Sequence, residues 1–347
     1  MCLLRILLYL RGDIMSKETK YLLSAGELKK KDHSLVFRNE KGHTYIPIEH
    51  IRELYCLGEV SLNSKLFHFL SSAGIIVHFF NYYHQYAGTF YPKEQLVSGR
   101  LTILQAKAYE VKRLDIAKAI VNGIAENIHF TLYHYYKHGK KEIKPYLDWL
   151  KKDVPYYLEK ELHIKQILFI EGEMWRKFYN SFQYFLPEAF LVNKRVRRPP
   201  DNPMNALISF GNSILYGKTI SQLYRTHLNQ TISFLHEPGE RRFSLALDLS
   251  EVFKPIIVYK TIFENVNNRK LQVEKHFDKK LNYALLNENG RKIFIQSLEE
   301  RLDSIIEHPK LKRKVRLETA IRLDAYKLIK YILEDKPFKP FSFKESE

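Results

Sequence analysis

Cysteine is almost missing from this chain of 347 residues, which has only Cys2 and Cys56. That scarcity excludes a disulfide framework and a cysteine-based zinc site, and it fits a reducing cytoplasm. Long apolar runs are missing too. The best candidate, CLLRILLYL over residues 2–10, carries an arginine and falls well short of the roughly 20 apolar residues that cross a bilayer. No small-residue cleavage site follows before Arg11-Gly12-Asp13, and Met15 opens a conventional start. Residues 1–14 are therefore expected to be a mis-assigned start or a disordered extension, not an anchor. Internal repeats and low-complexity tracts are absent. Acidic residues are in deficit, 39 against 56 Lys and Arg, for a net charge of +17. Such an excess calls for a polyanionic partner, nucleic acid first among them. Apolar residues, by contrast, make up 45% of the chain, enough for a real core and incompatible with wholesale disorder.

From Lys20 to about Pro92 the pattern is short and β-like. Leu35-Val36-Phe37 and Thr44-Tyr45-Ile46 are separated by turn signals at Asn39 and Gly42, and Ile75-Ile76-Val77 reads as a buried strand. An amphipathic helix is expected at 63–72. Beyond Pro92, Leu101, Leu104, Ala108, Val111 and Leu114 recur at helical spacing, and such segments continue to about Leu333. The fold class expected is α+β, a small β-rich domain (15–95) followed by a larger all-α domain (96–335), with the boundary near 93–102. Loops are expected at 192–203 and 236–243, and Ser297 with Glu300 is expected to cap a late helix. Residues 336–347 are expected to form a flexible tail.

Three distant segments set polar residues among apolar neighbours. Glu171 follows Ile167-Leu168-Phe169-Ile170, with Glu173 two residues on. His236 is expected to close an apolar helix before Pro238-Gly239. Asp248 and Glu251, three apart, share one face of an expected helix. Each alone fits a solvated face or a helix-end partner. Together, two acids and an imidazole are a ligand set for Mg²⁺ or Mn²⁺. Basic stretches, Lys194-Arg195-Val196-Arg197-Arg198 and KLKRKVR at 310–316, fit either solvated faces or a phosphate-tracking surface.

The order of these segments resembles the universal CRISPR-associated integrase and endonuclease family of spacer acquisition. The matching motifs are Glu171-Gly172 with Phe178-Tyr179, Leu235-His236, Asp248-Leu249-Ser250-Glu251-Val252-Phe253-Lys254-Pro255, and Arg197-Arg198-Pro199-Pro200 running on to Asn205-Ala206-Leu207-Ile208-Ser209-Phe210-Gly211. The likeness spans roughly residues 16–335. It implies metal ligands at Glu171, His236 and Glu251, with Glu173 competing for the first place, and a further catalytic acid at Asp248. Phe178 is aligned with the family's first Tyr, and Tyr259 stands where relatives often carry Asp. DNA contacts are implied at Arg197, Arg198, Asn205, Arg241, Arg242, Lys254, Lys310, Lys312 and Arg313.

The resemblance further implies a metal-dependent DNA endonuclease and integrase. The 3′-hydroxyl of a short DNA duplex would attack a phosphodiester at the edge of a CRISPR repeat by transesterification, with hydrolytic nicking as a side reaction. The expected cofactor is Mg²⁺ or Mn²⁺. Expected partners are double-stranded DNA, a second copy of the chain in a homodimer, and a second small CRISPR-associated protein bridging two dimers; no membrane is involved, and the location expected is cytoplasmic. Two other readings stay open: a general metal-dependent nuclease for branched DNA, and a non-catalytic DNA-binding architectural dimer.

Overall fold

The structure is a computed structural model and describes residues 17–92, 96–160, 163–197, 199–239, 243–280, 283–307 and 313–343. Residues 1–14 of the expected extension lie outside that set. The chain divides into two compact units, Met1–Gln95 and Leu96–Glu347.

Among the described residues, the first unit holds two four-stranded sheets and one α-helix. Strands β1 (Glu18–Leu22), β5 (Ile51–Cys56), β7 (Ile76–Phe80) and β8 (Tyr86–Phe90) form one sheet in that order; β4 (Gly42–Pro47), β3 (Ser34–Asn39), β2 (Gly26–Lys31) and β6 (Val60–Ser61) form the other. The hairpins follow from local turn chemistry. Asp32 takes a φ of 51° between β2 and β3, and between β3 and β4 the Asn39 side chain accepts from Lys41 N at 2.9 Å before Gly42 at φ 121°. The β1–β5 and β5–β7 pairings are parallel and join segments distant in sequence. Helix α1 (Ser64–Ser72) starts at Asn63, whose side chain accepts from Leu66 N at 2.9 Å, and buries Leu66 and Leu70 against Leu28, Leu35, Leu54 and Val77.

The second unit is mostly helical. Its spine is α2 (Gly99–Lys137), 39 residues long and opened by Ser98. A helical stretch α3 (144–160) carries a π turn at Trp149–Asp153. Next come α4 (Ile164–Ser181) and α5 (Pro203–Tyr224), the latter with Asn202 as N-cap, proline in its first turn and apolar residues on all sides, the pattern of a helix buried all round. Helix α6 (Ser244–Lys254) passes through a π turn, Pro255–Tyr259, into α7 (Lys260–Asn267). Short α8 (Val273–His276), α9 (Glu288–Leu302) and α10 (Leu317–Glu334) follow. Gly211 lets α5 approach the π turn, because a Cβ there would meet Val258 Cγ1 at 2.5 Å. No described helix is long and apolar enough to cross a membrane.

Four expectations are corrected. The second unit is not all-α: antiparallel ribbons pair β9 (Phe277–Lys280) with β10 (Tyr283–Leu286), and β11 (Ile305–Glu307) with β12 (Lys314–Arg316). Residues 225–239 are irregular, so His236 closes no helix. Ser297 and Glu300 sit inside α9, whose real cap is Asn287, accepting from Gly290 N at 2.9 Å. The tail from 336 is docked as far as Phe343: Phe338 and Phe341 are buried, and Phe341 N donates to Asp324 Oδ2 at 2.7 Å. Its phenylalanines alternate with Lys, Pro and Ser, and their burial outweighs the disorder that the polar residues suggest.

Candidate functional site

The histidine segment is irregular because it is gripped from two sides. On one side, α2 presents Gln105, Tyr109 and Arg113, four residues apart and so on one face. Gln105 Nε2 donates to the carbonyls of Asn229 and Ile232, both at 2.9 Å. Arg113 donates to Phe234 O at 3.0 Å and pairs with Glu237 at 2.6 Å, while Tyr109 OH reaches the other Glu237 oxygen at 3.1 Å. On the other side stands Asp248, fully buried on α6. Its Oδ2 accepts from Phe234 N and Leu235 N at 2.7 and 2.8 Å; its Oδ1 accepts from His236 N at 3.1 Å and from His236 Nδ1 at 2.8 Å. A carboxylate can only accept here, so Nδ1 carries a proton, and in the neutral ring Nε2 is left with its lone pair. Asp248 was expected as a further catalytic acid. Each of its oxygens accepts two hydrogen bonds, a geometry that fixes the direction of the His236 ring.

Glu171 on α4 and Glu251 on α6 complete the group. Glu171 Oε1 accepts from Trp175 Nε1 at 2.5 Å, one turn along. Burial, and then the charge of Glu251, push its carboxyl up to about 7 against the pull of His236 and Lys254. Burial pulls the His236 imidazole down, but the hydrogen bond and charge of Asp248, with Glu251 and Glu171, outweigh it and hold the ring above its ordinary value. The three groups thus act on one another electrostatically although they come from three segments. They do not close into a cage: among the described residues no three His, Cys, Asp or Glu side chains stand as a formed metal-ligand cluster. Glu251 Oε1 is instead engaged by Lys254 Nζ. The donor set nonetheless suits a hard divalent cation, with the carboxyl groups of Glu171 and Glu251 and the Nε2 lone pair of the neutral His236 ring.

An aromatic wall backs the group, and of its members Trp175 is the one that sequence reasoning did not single out. Tyr179 and Tyr259 share a hydroxyl hydrogen bond of 2.8 Å, and Trp175 packs on Tyr259 at 5.4 Å. Phe178 is buried in the core, so Tyr179 is the residue of that pair that turns a hydroxyl inward. The signal available was spacing, since Glu171, Trp175, Phe178 and Tyr179 follow one helical face.

Of the other expected residues, Glu173 is turned away and pairs with Arg176 at 2.6 Å. Asn205 is not placed to meet DNA. It is fully buried, with Nδ2 donating to Lys194 O at 2.9 Å and Asp201 Oδ1 at 2.7 Å, and Oδ1 accepting from Arg195 at 3.0 Å, so it ties the 194–201 loop to α5. Arg197 and Arg313 are exposed. Lys254 is largely buried against Glu251. Arg198, Arg241, Arg242, Lys310 and Lys312 lie outside the described residues.

Comparison with known proteins agrees with the motifs. A family model described as CRISPR associated protein Cas1 matches residues 20–300. CRISPR-associated protein Cas1 1 of Methanobrevibacter ruminantium is 45% identical over 330 residues, 94% of this chain and 99% of its own. CRISPR-associated endonuclease Cas1 of Fusobacterium nucleatum is 39% identical over 333 residues, 95% and 98% of the two chains. A solved Cas1 protein from Thermotoga maritima superposes with a TM-score of 0.81 at 35% identity, over 94% of this chain and all of that one. A casposase bound to an integration product superposes at 0.82 with 19% identity over 95% of each chain, a likeness of fold alone. With all four motif segments inside the matched residues 20–300 and relatives up to 45% identical over nearly the whole chain, the chain belongs to the Cas1 family of CRISPR-associated proteins.

Proposed function

We propose that this chain is a DNA endonuclease and integrase that depends on Mg²⁺ or Mn²⁺ and inserts short DNA duplexes as new spacers into a CRISPR array. The observation that carries the reading is the His236 imidazole, held by the buried Asp248 at 2.8 Å, with the charges of Glu171 and Glu251 near enough to act on it. Relatives named as endonucleases support the activity. Glu171, Glu251 and His236 Nε2 would hold the cation, which when bound neutralises phosphoryl oxygens and lowers the pKa of an attacking hydroxyl.

The chain's own residues set the conditions for that chemistry. Asp248 fixes the ring tautomer and its direction, so no rearrangement is needed when substrate arrives. Glu171, pushed up to about 7, is part protonated at neutral pH in the free protein, and a cation bound beside it would favour its carboxylate, the proton leaving to solvent. Lys254 neutralises Glu251 in the free state and becomes a point-charge donor to an incoming phosphate once Glu251 is otherwise engaged. Trp175, Tyr179 and Tyr259 exclude water from one side, which strengthens every electrostatic interaction within. Arg197 and Arg313, both exposed, belong to the basic surface that would track the duplex. The partners in this reading are double-stranded DNA, a second copy of the chain, and a second small adaptation protein, in keeping with a fold neighbour solved in a Cas6-RT-Cas1–Cas2 complex.

The test is His236→Ala, assayed for joining of 3′-hydroxyl DNA ends to a repeat-bearing target and for nicking. Both should be lost while DNA affinity stays near wild type, and EDTA should reproduce the loss in the wild-type protein. Joining at a comparable rate by the variant overturns the site; loss of DNA binding itself favours the architectural dimer. Equal joining to repeat-free DNA favours a general nuclease.

A further inference from the structure

A buried side chain, Asn127 on α2, ties the C-terminal segment to the backbone of the acid-bearing helix. Its Nδ2 donates to Val252 O and to Phe341 O, both at 2.9 Å, and its Oδ1 accepts from Phe343 N at 3.2 Å. Val252 directly follows Glu251. One turn along α2, Thr131 Oγ1 donates to Pro255 O at 3.2 Å. These two grips fall where α6 is weakest. Pro255 brings no N–H to the ladder, and the helix loosens into a π turn over Pro255–Tyr259. Support for the backbone after Glu251 therefore comes from α2, and Asn127 is in turn completed by the tail.

The tail has its own built seat. Asp324 accepts from Phe341 N at 2.7 Å and is held by Lys327, also at 2.7 Å. The Phe341 ring stacks on Phe253 of α6 at 5.8 Å, with 10° between planes, and Phe343 stacks on Phe130 of α2 at 4.7 Å. Pro340 fits where α2 carries Gly123, since a Cβ there would come within 3.0 Å of it. Two rings and a carbonyl from one short segment thus bear on Phe253, Asn127 and Phe130, on both sides of the turn that carries Glu251.

We propose that residues 338–343 act as a strap that positions Glu251, with Asn127 as the positioning residue that passes the restraint to α6. Without the strap, Asn127 loses two of its three partners, and the Val252 carbonyl is held by an amide free to turn. The π turn then frays and Glu251 moves relative to Glu171 and His236, which sit on other elements. The consequence for a bound cation rests on the reading given under Proposed function; the consequence for the backbone does not.

The experiment is amide hydrogen exchange with Mn²⁺ titration on the full chain, comparing wild type with Phe341→Ala, Phe341→Leu and Asn127→Asp. Phe341→Ala and Asn127→Asp should each speed exchange over 249–259 at least tenfold while α4, which carries Glu171, exchanges as in wild type. Mn²⁺ affinity should fall several-fold in both, and Phe341→Leu should restore most of the protection and affinity. If Phe341→Ala does not accumulate folded, Phe343→Ala, which keeps the more deeply buried ring, makes the same comparison. Unchanged exchange over 249–259, or loosening spread evenly over the second unit, overturns the strap. Wild-type protein that takes up no Mn²⁺ overturns the cation reading, while the exchange comparison still decides the strap.

Discussion

The raised carboxyl of Glu171 makes a signed prediction about stability. In the unfolded chain a glutamate titrates near 4.5; in the fold, burial and the neighbouring Glu251 charge push Glu171 up to about 7. A raised folded value means that the stabilising contribution is full below pH 4.5 and is lost as pH rises through 7. The gap corresponds to about 3 kcal/mol. For a unit of this size about 1 kcal/mol moves Tm by about 2–4 °C, so the cation-free protein should lose up to about 10 °C between pH 4.5 and 7.5. His236, also raised, adds to the same slope. The variant Glu171→Gln keeps the shape and removes the titration, so its melting temperature in EDTA should fall less steeply with pH than that of wild type. Saturating Mn²⁺ should offset the loss, by about 2.7 kcal/mol at a hundred times Kd. It should bind more tightly as pH rises from 5 to 7, because each cation displaces a proton. Differential scanning calorimetry across pH, with and without Mn²⁺, reads all of this. Parallel pH profiles for wild type and Glu171→Gln in EDTA would refute the argument.

Two further outcomes follow from the packing. Asp248→Asn leaves one acceptor where four donors converge and turns an NH₂ toward N–H groups. At about 1–3 kcal/mol for each buried donor left unpaired, it should lose about 3–5 kcal/mol in denaturant unfolding; a loss under about 1 kcal/mol would mean that the 234–236 turn is held by α2 alone. Gly211→Ala places a methyl 2.5 Å from Val258 Cγ1 and should destabilise by about 1–3 kcal/mol despite the better helix propensity of Ala, with Val258→Ala in the same chain recovering most of it.

What was legible in the sequence was whatever is carried by local pattern. Asn63 and the Leu66–Leu70 spacing mark α1, the period of Leu101, Leu104 and Ala108 marks α2, and Asn39 with Gly42 marks a hairpin. The parallel pairing of β1 with β5 was not legible, because it joins segments about 30 residues apart and leaves no short-range trace. The spacing of Asp248 and Glu251 placed both on α6, but it could not say which would face a ligand and which a backbone. That depends on residues 234–236, which meet Asp248 only in the fold. The stretch leading up to His236 read as helix because its apolar residues serve the core, while its backbone donors and acceptors are met by Gln105, Arg113 and Asp248 across the fold. The tail misled for the opposite reason: its composition is that of a loop, and Asp324 and Asn127, which anchor it, lie far upstream.

Helix α2 touches both halves of the site. Arg113 and Gln105 hold the histidine turn near its start, and Asn127 and Thr131 hold the acid-bearing backbone farther on. The 14 residues from Arg113 to Asn127 span about 21 Å at 1.5 Å each and nearly four full turns, so the two grips point in almost the same direction. The rod therefore works as a ruler with a phase as well as a length. Removing a single residue between 113 and 127 would shorten it by only about 1.5 Å but rotate one grip by about 100° away from the other. Chains sharing this layout can vary freely at the exposed positions of that interval, yet can neither gain nor lose one residue there without setting the histidine and the carboxylate at odds.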